Sequence, residues 1–291
     1  MTDSWTQWPA PAKLNLFLHI VGRRADGYHQ LQTLFHLIDW GDNLRIRIRD
    51  DGVIQRVAGL AEIAPEQDLV IRAAQALRVH VGGTLGADIA VDKRIPVGAG
   101  LGGGSSDAAT VLLALNELWR TGIDDDALAA IGLQLGADVP LFVRGRTAWA
   151  EGVGEKLTPV DLPECAYLLA NPDVHVSTAA LFQAPELTRN APRKTIADFL
   201  GGTCSGNAFA PVVRARFPQV KAAMDWLDRF GAARLSGSGG CAFVEVGAQR
   251  QIEDFCTTSP AGVTVYRARG TNRSLLHEAR DNFRACSERE S

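Results

Sequence analysis

Pro96-Val-Gly-Ala-Gly-Leu-Gly-Gly-Gly-Ser-Ser106, followed at once by Asp107-Ala-Ala-Thr-Val-Leu-Leu113, is the stretch that decides the fold of this 291-residue chain. Five of its residues are glycines, which allow positive φ and let backbone N–H groups approach a ligand closely. The run opens a helix, and a helix N-terminus offers unpaired N–H donors and a partial positive charge. The stretch therefore predicts a loop that binds a polyphosphate, and hence a nucleotide-binding protein.

The element that follows this loop separates several kinds of phosphate site. Gly98, Gly100 and Gly103 fit the fingerprint of dinucleotide-binding folds, but that fold needs a strand after the helix, with an acid at its end. Here the spacing of apolar residues over 124–135 predicts a second helix. A Walker loop needs Gly-Lys-Ser/Thr after its glycines, and the protein-kinase motifs are equally absent. What remains is a phosphate loop without a lysine of its own.

Composition narrows the class of protein further. Apolar residues make up 46% of the chain, charged residues 22%, and the net charge is −3, which is ordinary for a soluble globular protein. This charge gives no reason to expect nucleic acid or a membrane as a partner. Five cysteines without a Cys-x-x-Cys pair fit a reducing cytosol. We therefore expect a cytoplasmic protein.

Periodicity predicts an α+β protein of two domains. Leu14–Ile20 alternates as a strand, which places Lys13 and Asn15 on one face, and the helix after the glycine loop carries a single buried stripe. Ser105 or Ser106 is expected to cap that helix. The proline-bracketed stretch 159–163 is the predicted linker. We accordingly expect a first domain over residues 1–160 and a smaller α+β domain over residues 161–291.

The glycine loop resembles the phosphate-binding signature of the GHMP kinases. Three further segments extend the resemblance in the family's order and spacing: Pro11-Ala-Lys13-Leu-Asn15-Leu, Arg24-Ala-Asp-Gly-Tyr28-His29, and Leu135-Gly-Ala-Asp138-Val-Pro140. They narrow it to members that phosphorylate a cytidine diphosphate ester of methylerythritol in non-mevalonate isoprenoid biosynthesis. The resemblance implies the two-domain GHMP kinase fold, with a ferredoxin-like second domain and the active site in the cleft between the domains.

The implied reaction moves the γ-phosphate of ATP, with Mg²⁺, to the tertiary 2-hydroxyl of the methylerythritol unit. Lys13 and Asp138 fall on the family's catalytic positions. An aspartate can accept the proton of a crowded alcohol, and a neighbouring lysine keeps that aspartate ionised and offsets charge on the moving phosphoryl group. Without the resemblance, Asp138 is equally well a helix cap and Lys13 a solvated lysine on a strand.

The resemblance also implies the binding residues. The ATP contacts are expected at Lys93, Pro96, Val97, Gly98, Ala99, Gly100, Leu101, Gly102, Gly103, Gly104, Ser105 and Ser106. The acceptor contacts are expected at Asn15, Tyr28, His29, Phe182, Gly237, Ser238 and Gly239, with Tyr28 and His29 on one side of the cytosine and Phe182 on the other. Taken without the family, these are an exposed turn, a core phenylalanine and a glycine hairpin turn.

Some alternatives stay open at this point. Asp68 stands where many family members have asparagine, which puts any adenine contact there in doubt. Another GHMP kinase, or a nucleotide-binding regulator without activity, would share the glycine loop. No protein metal ligands are predicted from the spacing of the histidines, and a monomer or a homodimer is expected.

Overall fold

Two long antiparallel strands, β1 (Thr6–Arg23) and β2 (His29–Arg49), form the centre of the first domain. The computed structural model describes residues 4–25, 27–59, 63–64, 66–247, 255 and 257–289. Asp26, in the predicted Asp-Gly bend, and Cys256 lie outside the described residues. The other elements of the first half are β3 (Ile54–Ala58), α1 (Leu69–Val81), β4 (Gly86–Asp92), α2 (Gly103–Leu118), α3 (Asp125–Leu133), α4 (Val139–Arg144), β5 (Ala148–Gly152) and β6 (Lys156–Pro159).

The second half is a smaller α+β unit. Its elements are β7 (Ala166–Pro172), α5 (Thr178–Gln183), α6 (Ile196–Leu200), α7 (Ala210–Arg216), α8 (Pro218–Leu227), β8 (Arg234–Leu235), β9 (Ala242–Val246), β10 (Val263–Thr271) and α9 (Leu275–Arg289). Strand order β3-β4-β2-β10-β7-β9-β8 joins the two halves through a short pairing of β10 with β2. Strand β1 pairs with β2 off this path, as does β5, which also pairs with β6.

Helix α2 anchors the glycine loop in the first domain. The predicted stripe of Ala108, Val111, Leu112 and Leu115 is fully buried in the main core cluster, whereas Leu118 and Trp119 are partly buried. The prediction of a single buried stripe is wrong, because every residue from 106 to 116 is buried and the helix is enclosed on all faces. Burying side chains of this size stabilises the fold by about 1.5–3 kcal/mol each for leucine and valine. The predicted serine cap is wrong, because Gly102 occupies the N-cap with φ of 77° and no side chain caps the helix. The first N–H groups of α2 therefore donate no capping hydrogen bond to a side chain.

The C-terminal helix α9 packs on the first domain. Leu276 is fully buried in the same core cluster as α2, and the Phe283 ring lies 5.3 Å from Trp8 on β1. Arg280 donates to both carboxylate oxygens of Asp125 at 2.6 and 3.0 Å. The core of the first domain thus includes residues of α9, far beyond position 160. The predicted boundary at residue 160 assigns these residues to the second domain.

Several elements differ from the sequence prediction in extent. The alternation of apolar residues over 44–48 predicts only a short strand there, whereas β2 runs from His29 to Arg49. Strand β6 overlaps the predicted linker at Pro159. The four described cysteines are free thiols. In the described part of the chain, no helix combines the length and the apolar character that crossing a bilayer requires.

Candidate active site

The glycine loop wraps the start of α2. Gly98, Gly100 and Gly102 have φ between 74° and 80°, a region that L side chains rarely adopt, so these three positions require glycine. Gly103 is helical, but an added Cβ would stand 2.9 Å from Ile95 and 3.0 Å from the Lys93 Nζ atom. The glycines therefore serve two purposes, a left-handed backbone and close packing.

A second glycine loop, 236–240, supports the first from the other domain. A Cβ on Gly100 would lie 2.1 Å from the Ser236 carbonyl oxygen, and one on Gly239 would lie 2.1 Å from the Ala99 carbonyl carbon. The Cys241 N–H donates to the Ala99 carbonyl at 3.1 Å. The two backbones are thus in direct contact, and the phosphate loop is fixed by both domains. Gly239, which was expected to contact the acceptor, lines neither of the two cavities described below and instead packs against Ala99 and Gly100.

Lys13 extends from β1 beneath the phosphate loop. Its ammonium donates to Asn15 Oδ1 at 2.6 Å and to the Gly100 carbonyl at 3.0 Å, and it lies 3.4 Å from Asp138 Oδ2. Its side chain is only 4% exposed, so the interpretation of Lys13 as a solvated lysine does not hold. Asn15 is held in turn by Thr33 Oγ1, at 2.9 Å from its Nδ2.

Asp138 precedes α4 and points its carboxylate at Lys13. It occupies the N-cap position, yet its side chain makes no capping hydrogen bond, so the helix-cap interpretation is not supported. The side chain is 29% exposed and faces the cavity that Lys13 lines. A carboxylate that is accessible, paired with a buried ammonium and unused by its own helix can accept a proton from a ligand.

Ser105 and Ser106 differ in position. Ser105 lines the same cavity as Asp138. Ser106 is fully buried, and its hydroxyl donates to the Pro11 carbonyl at 2.6 Å, which ties α2 to β1. Its side chain is therefore committed to the fold, and its backbone N–H donates to the Gly102 carbonyl at 2.9 Å, so the expected contact of Ser106 with ATP is not supported.

One cavity, of about 210 Å³, runs along the outer side of the loop. It is lined by all of residues 96–104 and by Lys93, Asp107, Arg56, Ile63, Gln67, Asp68, Leu69, Val70 and Val91. The apolar members form a wall for a ring system, and the loop supplies N–H donors at the other end. Ten of the twelve residues expected to bind ATP line this nucleotide cavity, whereas Ser105 lines the adjoining cavity and Ser106 lines neither.

Lys93 is bound by two carboxylates in that cavity. Its ammonium lies 2.6 Å from Asp42 Oδ2 and 2.6 Å from Asp107 Oδ2. Burial raises the pKa of Asp107 to about 7, although the positive charge of Lys93 opposes this rise. The negative charge of Asp42 adds to it. Asp42 also accepts the N–H groups of Arg94 and Ile95 at 2.5 and 2.7 Å. Lys93 therefore fixes the entry to the loop, and its charge is largely neutralised before any nucleotide binds.

Asp68, which replaces the family's asparagine, has its negative charge paired within the structure. One of its oxygens accepts the Val70 N–H at 3.0 Å and caps α1, and the other pairs with the Arg56 guanidinium from β3. Both partners line the nucleotide cavity. The negative charge at this position is thus matched by a neighbouring cation inside the wall of the cavity.

A second cavity, of about 350 Å³, adjoins the first and is lined by both domains. The first domain contributes Lys13, Asn15, Leu18, Leu31, Thr33, Phe35, Gly100, Gly102, Ser105, Ala137, Asp138, Val153 and Gly154, and the second contributes Thr178, Phe182, Phe209, Gly237 and Ser238. Gly100 and Gly102 line both cavities. Lys13 and Asp138 therefore line the cleft between the domains, next to the glycines that both cavities share. Because the acceptor contacts were expected here, the second cavity is called the acceptor cavity below.

The predicted aromatic pocket has a different arrangement. The rings of His29 and Phe182 are stacked, with centroids 4.7 Å apart and 16° between their planes. A base between two rings needs them about 7 Å apart, twice the contact distance of stacked rings, so no base fits between these two as they stand. Phe182 lines the acceptor cavity, His29 packs against its ring, and Tyr28 is 66% exposed. The structure therefore does not show the expected open sandwich between His29 and Phe182.

Some residues of the site carry no local signal in the sequence. Ser236 is fully buried, donates to the Gly100 carbonyl at 3.0 Å, and accepts the Asn15 N–H at 3.3 Å. Asn207 donates to the carbonyls of Leu235 and Gly237 and so holds the second glycine loop. These contacts join residues between 28 and 221 positions apart, and only the position of Ser236 inside a glycine-rich stretch could have suggested a role.

The described residues contain no group of three or more histidine, cysteine, aspartate or glutamate side chains placed to hold a metal ion. Mg²⁺ at a nucleotide commonly takes one or two protein oxygens together with phosphate oxygens and water. The Ser105 hydroxyl, on the first turn of α2 and facing the acceptor cavity, fits that modest requirement.

Comparison with known proteins agrees with this geometry. The family model described as "GHMP kinases N terminal domain" matches residues 68–146, and that described as "GHMP kinases C terminal" matches residues 189–259. The chain is 55% identical, over 96% of its length and 95% of the relative's, to a 4-diphosphocytidyl-2-C-methyl-D-erythritol kinase of Xanthomonas campestris pv. campestris (strain B100). It is 55% identical to the protein of that name in Xylella fastidiosa (strain 9a5c), over 94% and 92% of the two chains.

Solved structures give the same result. A crystal structure of 4-(cytidine 5'-diphospho)-2C-methyl-D-erythritol kinase superimposes with a TM-score of 0.76 at 32% identity, covering 91% of this chain and 99% of the other. The mevalonate kinase of Methanococcus jannaschii, at 16% identity and a TM-score of 0.65 over 93% and 99% of the two chains, shares the fold. The chain belongs to the GHMP kinases and, within them, to the family of 4-diphosphocytidyl-2-C-methyl-D-erythritol kinases.

Proposed function

We propose that this chain transfers the γ-phosphate of ATP to the 2-hydroxyl of 4-diphosphocytidyl-2-C-methyl-D-erythritol, giving the 2-phosphate and ADP. The observation that carries the proposal is the position of the Lys13–Asp138 pair, 3.4 Å apart, beside the two glycines shared by the nucleotide and acceptor cavities. The reaction belongs to isoprenoid precursor synthesis by the non-mevalonate route. We place it in the cytoplasm, on a monomer or homodimer without a nucleic-acid or membrane partner.

Asp138 is the proposed general base. Its carboxylate takes the proton of the 2-hydroxyl as that oxygen bonds to the γ-phosphorus, while the bond from phosphorus to the bridging oxygen of ADP breaks. A tertiary alcohol is a crowded, weak nucleophile, so a base aligned with it contributes a factor of about 10²–10⁴ to the rate. Lys13, fixed by Asn15 and by the Gly100 carbonyl, places its positive charge beside the moving phosphoryl group.

The phosphate loop and the second domain position the reactants. Backbone N–H groups at the start of α2 receive the phosphates, and the direct contact of the two glycine loops sets the loop against the acceptor cavity. In phosphoryl transfer most of the catalysis is such positioning and charge stabilisation. Mg²⁺, when bound with the nucleotide, neutralises charge on the phosphates, and Ser105 is the side chain that would hold it.

Acceptor recognition rests on one wall of the second cavity. Phe182 presents a ring face to the cytosine, and Asn15, Gly237 and Ser238 line the region between that ring and Asp138. Stacking on an aromatic face tolerates any base, so the polar groups around the ring must select cytosine. We assign Tyr28 and His29 to that pocket as its outer residues.

A coupled assay of ADP release tests the proposal. The chain is supplied with ATP, Mg²⁺ and, in parallel, the cytidine diphosphate ester, mevalonate or homoserine. We expect release with the cytidine ester and a lower kcat/KM, by at least 10³-fold, with the other two acceptors. Preference for mevalonate or homoserine would make the chain a different GHMP kinase, and ATP binding without release on any acceptor would make it a regulator.

A further inference from the structure

Arg189 lies outside the cavity walls and outside every motif of the sequence, yet it contacts the end of α5 at three points. Its guanidinium donates to the carbonyls of Phe182 at 2.8 Å, Ala184 at 2.7 Å and Leu187 at 3.0 Å. The last carbonyls of a helix have no partner within the helix and need one from elsewhere. Helix α5 has only six residues, so it has little stability of its own and depends on such contacts.

The Arg189 guanidinium holds Phe182 by its backbone carbonyl, and the ring of Phe182 lines the acceptor cavity. The Phe182 ring is stacked on His29 and meets Phe209 edge-on at 5.0 Å. The other end of α5 is also fixed, because Thr178 Oγ1 lies 2.6 Å from Ser238 Oγ on the second glycine loop. Arg189 therefore secures the end of the helix that Ser238 does not reach.

The charge of Arg189 also acts on His29. Burial lowers the pKa of His29, and the positive charges of Arg23, which stands opposite it on β1, and of Arg189 lower it further. The Nε2 atom of His29 is buried and accepts or donates no hydrogen bond among the described residues. The imidazole is thus kept neutral where it packs against the Phe182 ring.

We propose that Arg189 is a positioning residue for acceptor binding, which holds the His29–Phe182 pair in the arrangement that receives the cytidine moiety. The inference rests on the proposed function, since it assigns the pair to the cytidine end of the acceptor. Two properties of arginine serve this role. The planar fork donates from two separate nitrogens to three carbonyls, a spread that the single nitrogen of a lysine does not have, and the fixed charge keeps a proton off His29.

Two substitutions separate these properties. Arg189→Lys keeps the charge and loses the fork, whereas Arg189→Met loses both. We expect the KM for the cytidine ester to rise about tenfold in both variants, with kcat and the KM for ATP within about twofold of the unmodified chain. Arg216→Met is the matched control, because Arg216 is paired with Glu186 in the same domain and has no contact with Phe182. It should change neither constant.

The pKa of His29, read by NMR titration of the ligand-free chain, gives a second and independent measurement. We expect it to rise in Arg189→Met and to stay in place in Arg189→Lys and Arg216→Met. Arg189→Gln is the neutral substitute if the methionine variant does not fold. The titration needs no acceptor, so it remains informative even if the assay of ADP release refutes the proposed function.

The inference is overturned if the acceptor KM of both variants stays within twofold, or if the KM for ATP rises as much as that for the acceptor. It is also overturned if the pKa of His29 is the same in Arg189→Met as in the unmodified chain. An equal rise of the acceptor KM in Arg216→Met would also overturn it, because the loss of any cation in this domain would then have the same effect as the loss of Arg189.

Discussion

Replacing Gly100 by alanine tests whether the contact between the two glycine loops sets the geometry of catalysis. The new Cβ would stand 2.1 Å from the Ser236 carbonyl oxygen and 2.8 Å from the Gly239 nitrogen, both of them backbone atoms. The loops must part by about 0.9 Å before the closer contact reaches 3.0 Å, the shortest that packing tolerates. The Gly100 carbonyl, which accepts from Lys13 and Ser236, moves with its loop.

The size of the effect follows from these distances. Overpacking costs about 1–3 kcal/mol, and alanine at a φ of 80° costs a further 1–2 kcal/mol or so. A shift of about 1 Å in groups that position reactants can reduce the rate by about 10²-fold. We therefore expect Gly100→Ala to lower kcat/KM by about 10²-fold or more and the free energy of unfolding by about 2–5 kcal/mol.

The matched control is Gly122→Ala. Gly122 has a φ of 70°, but an added Cβ there meets no atom within 4 Å, so this variant carries the backbone strain without the collision. The assay is coupled ADP release with the cytidine ester, together with urea unfolding of both variants. The reasoning is refuted if Gly100→Ala retains kcat/KM within threefold of the unmodified chain, or if Gly122→Ala loses as much activity.

Three further substitutions address other parts of the structure. Asp138→Asn should lower kcat by about 10²–10⁴-fold while the Kd for ATP, measured by displacement of a fluorescent nucleotide, changes less than threefold; near-normal turnover would remove Asp138 from the mechanism. Tyr28→Ala should raise the acceptor KM about tenfold, and an unchanged KM would place the cytosine elsewhere. Burial and Arg234 lower the pKa of His36 to about 4, so between about pH 6.5 and 4 the unfolded chain takes up a proton that the folded chain refuses. This uptake lowers the free energy of unfolding of the unmodified chain by roughly 3 kcal/mol between pH 7 and pH 4, and His36→Gln should lack that part of the fall. Urea unfolding across this pH range measures the difference, and parallel pH profiles for the two proteins would contradict the prediction.

The parts of the site that the sequence predicted are those with local signals. A glycine-rich run before an amphipathic stretch specifies a loop and a helix start by backbone sterics alone, and the loop lies where it was expected. Lys13 and Asp138 were proposed from motif resemblance, and their approach to 3.4 Å depends on strands and helices that no local pattern describes. Their catalytic roles remain proposals.

The parts that were not predicted depend on contacts between distant segments. Helix α9 is strongly polar apart from a narrow stripe. That the stripe packs on the core of the first domain could not be inferred from the helix sequence alone. The serine cap failed because α2 already begins at Gly103, which puts both serines inside the helix, and the Ser106 hydroxyl instead donates to the Pro11 carbonyl, 95 residues away. The stacking of His29 on Phe182 joins residues of two domains, and side-chain type alone does not distinguish a base sandwich from a ring pair.

The return of helix α9 to the first domain has a consequence for synthesis of the chain. Leu276 fills a core that otherwise consists of residues up to 150, and Arg280 bonds Asp125 across that core's surface. The domain that emerges first from the ribosome therefore stays incomplete until residues 275–289 have been made, although domains usually finish folding in the order of their synthesis. The second domain lies wholly between these segments, so a chain that ends before α9 would contain all of the second domain but lack Leu276 and Arg280 from the first.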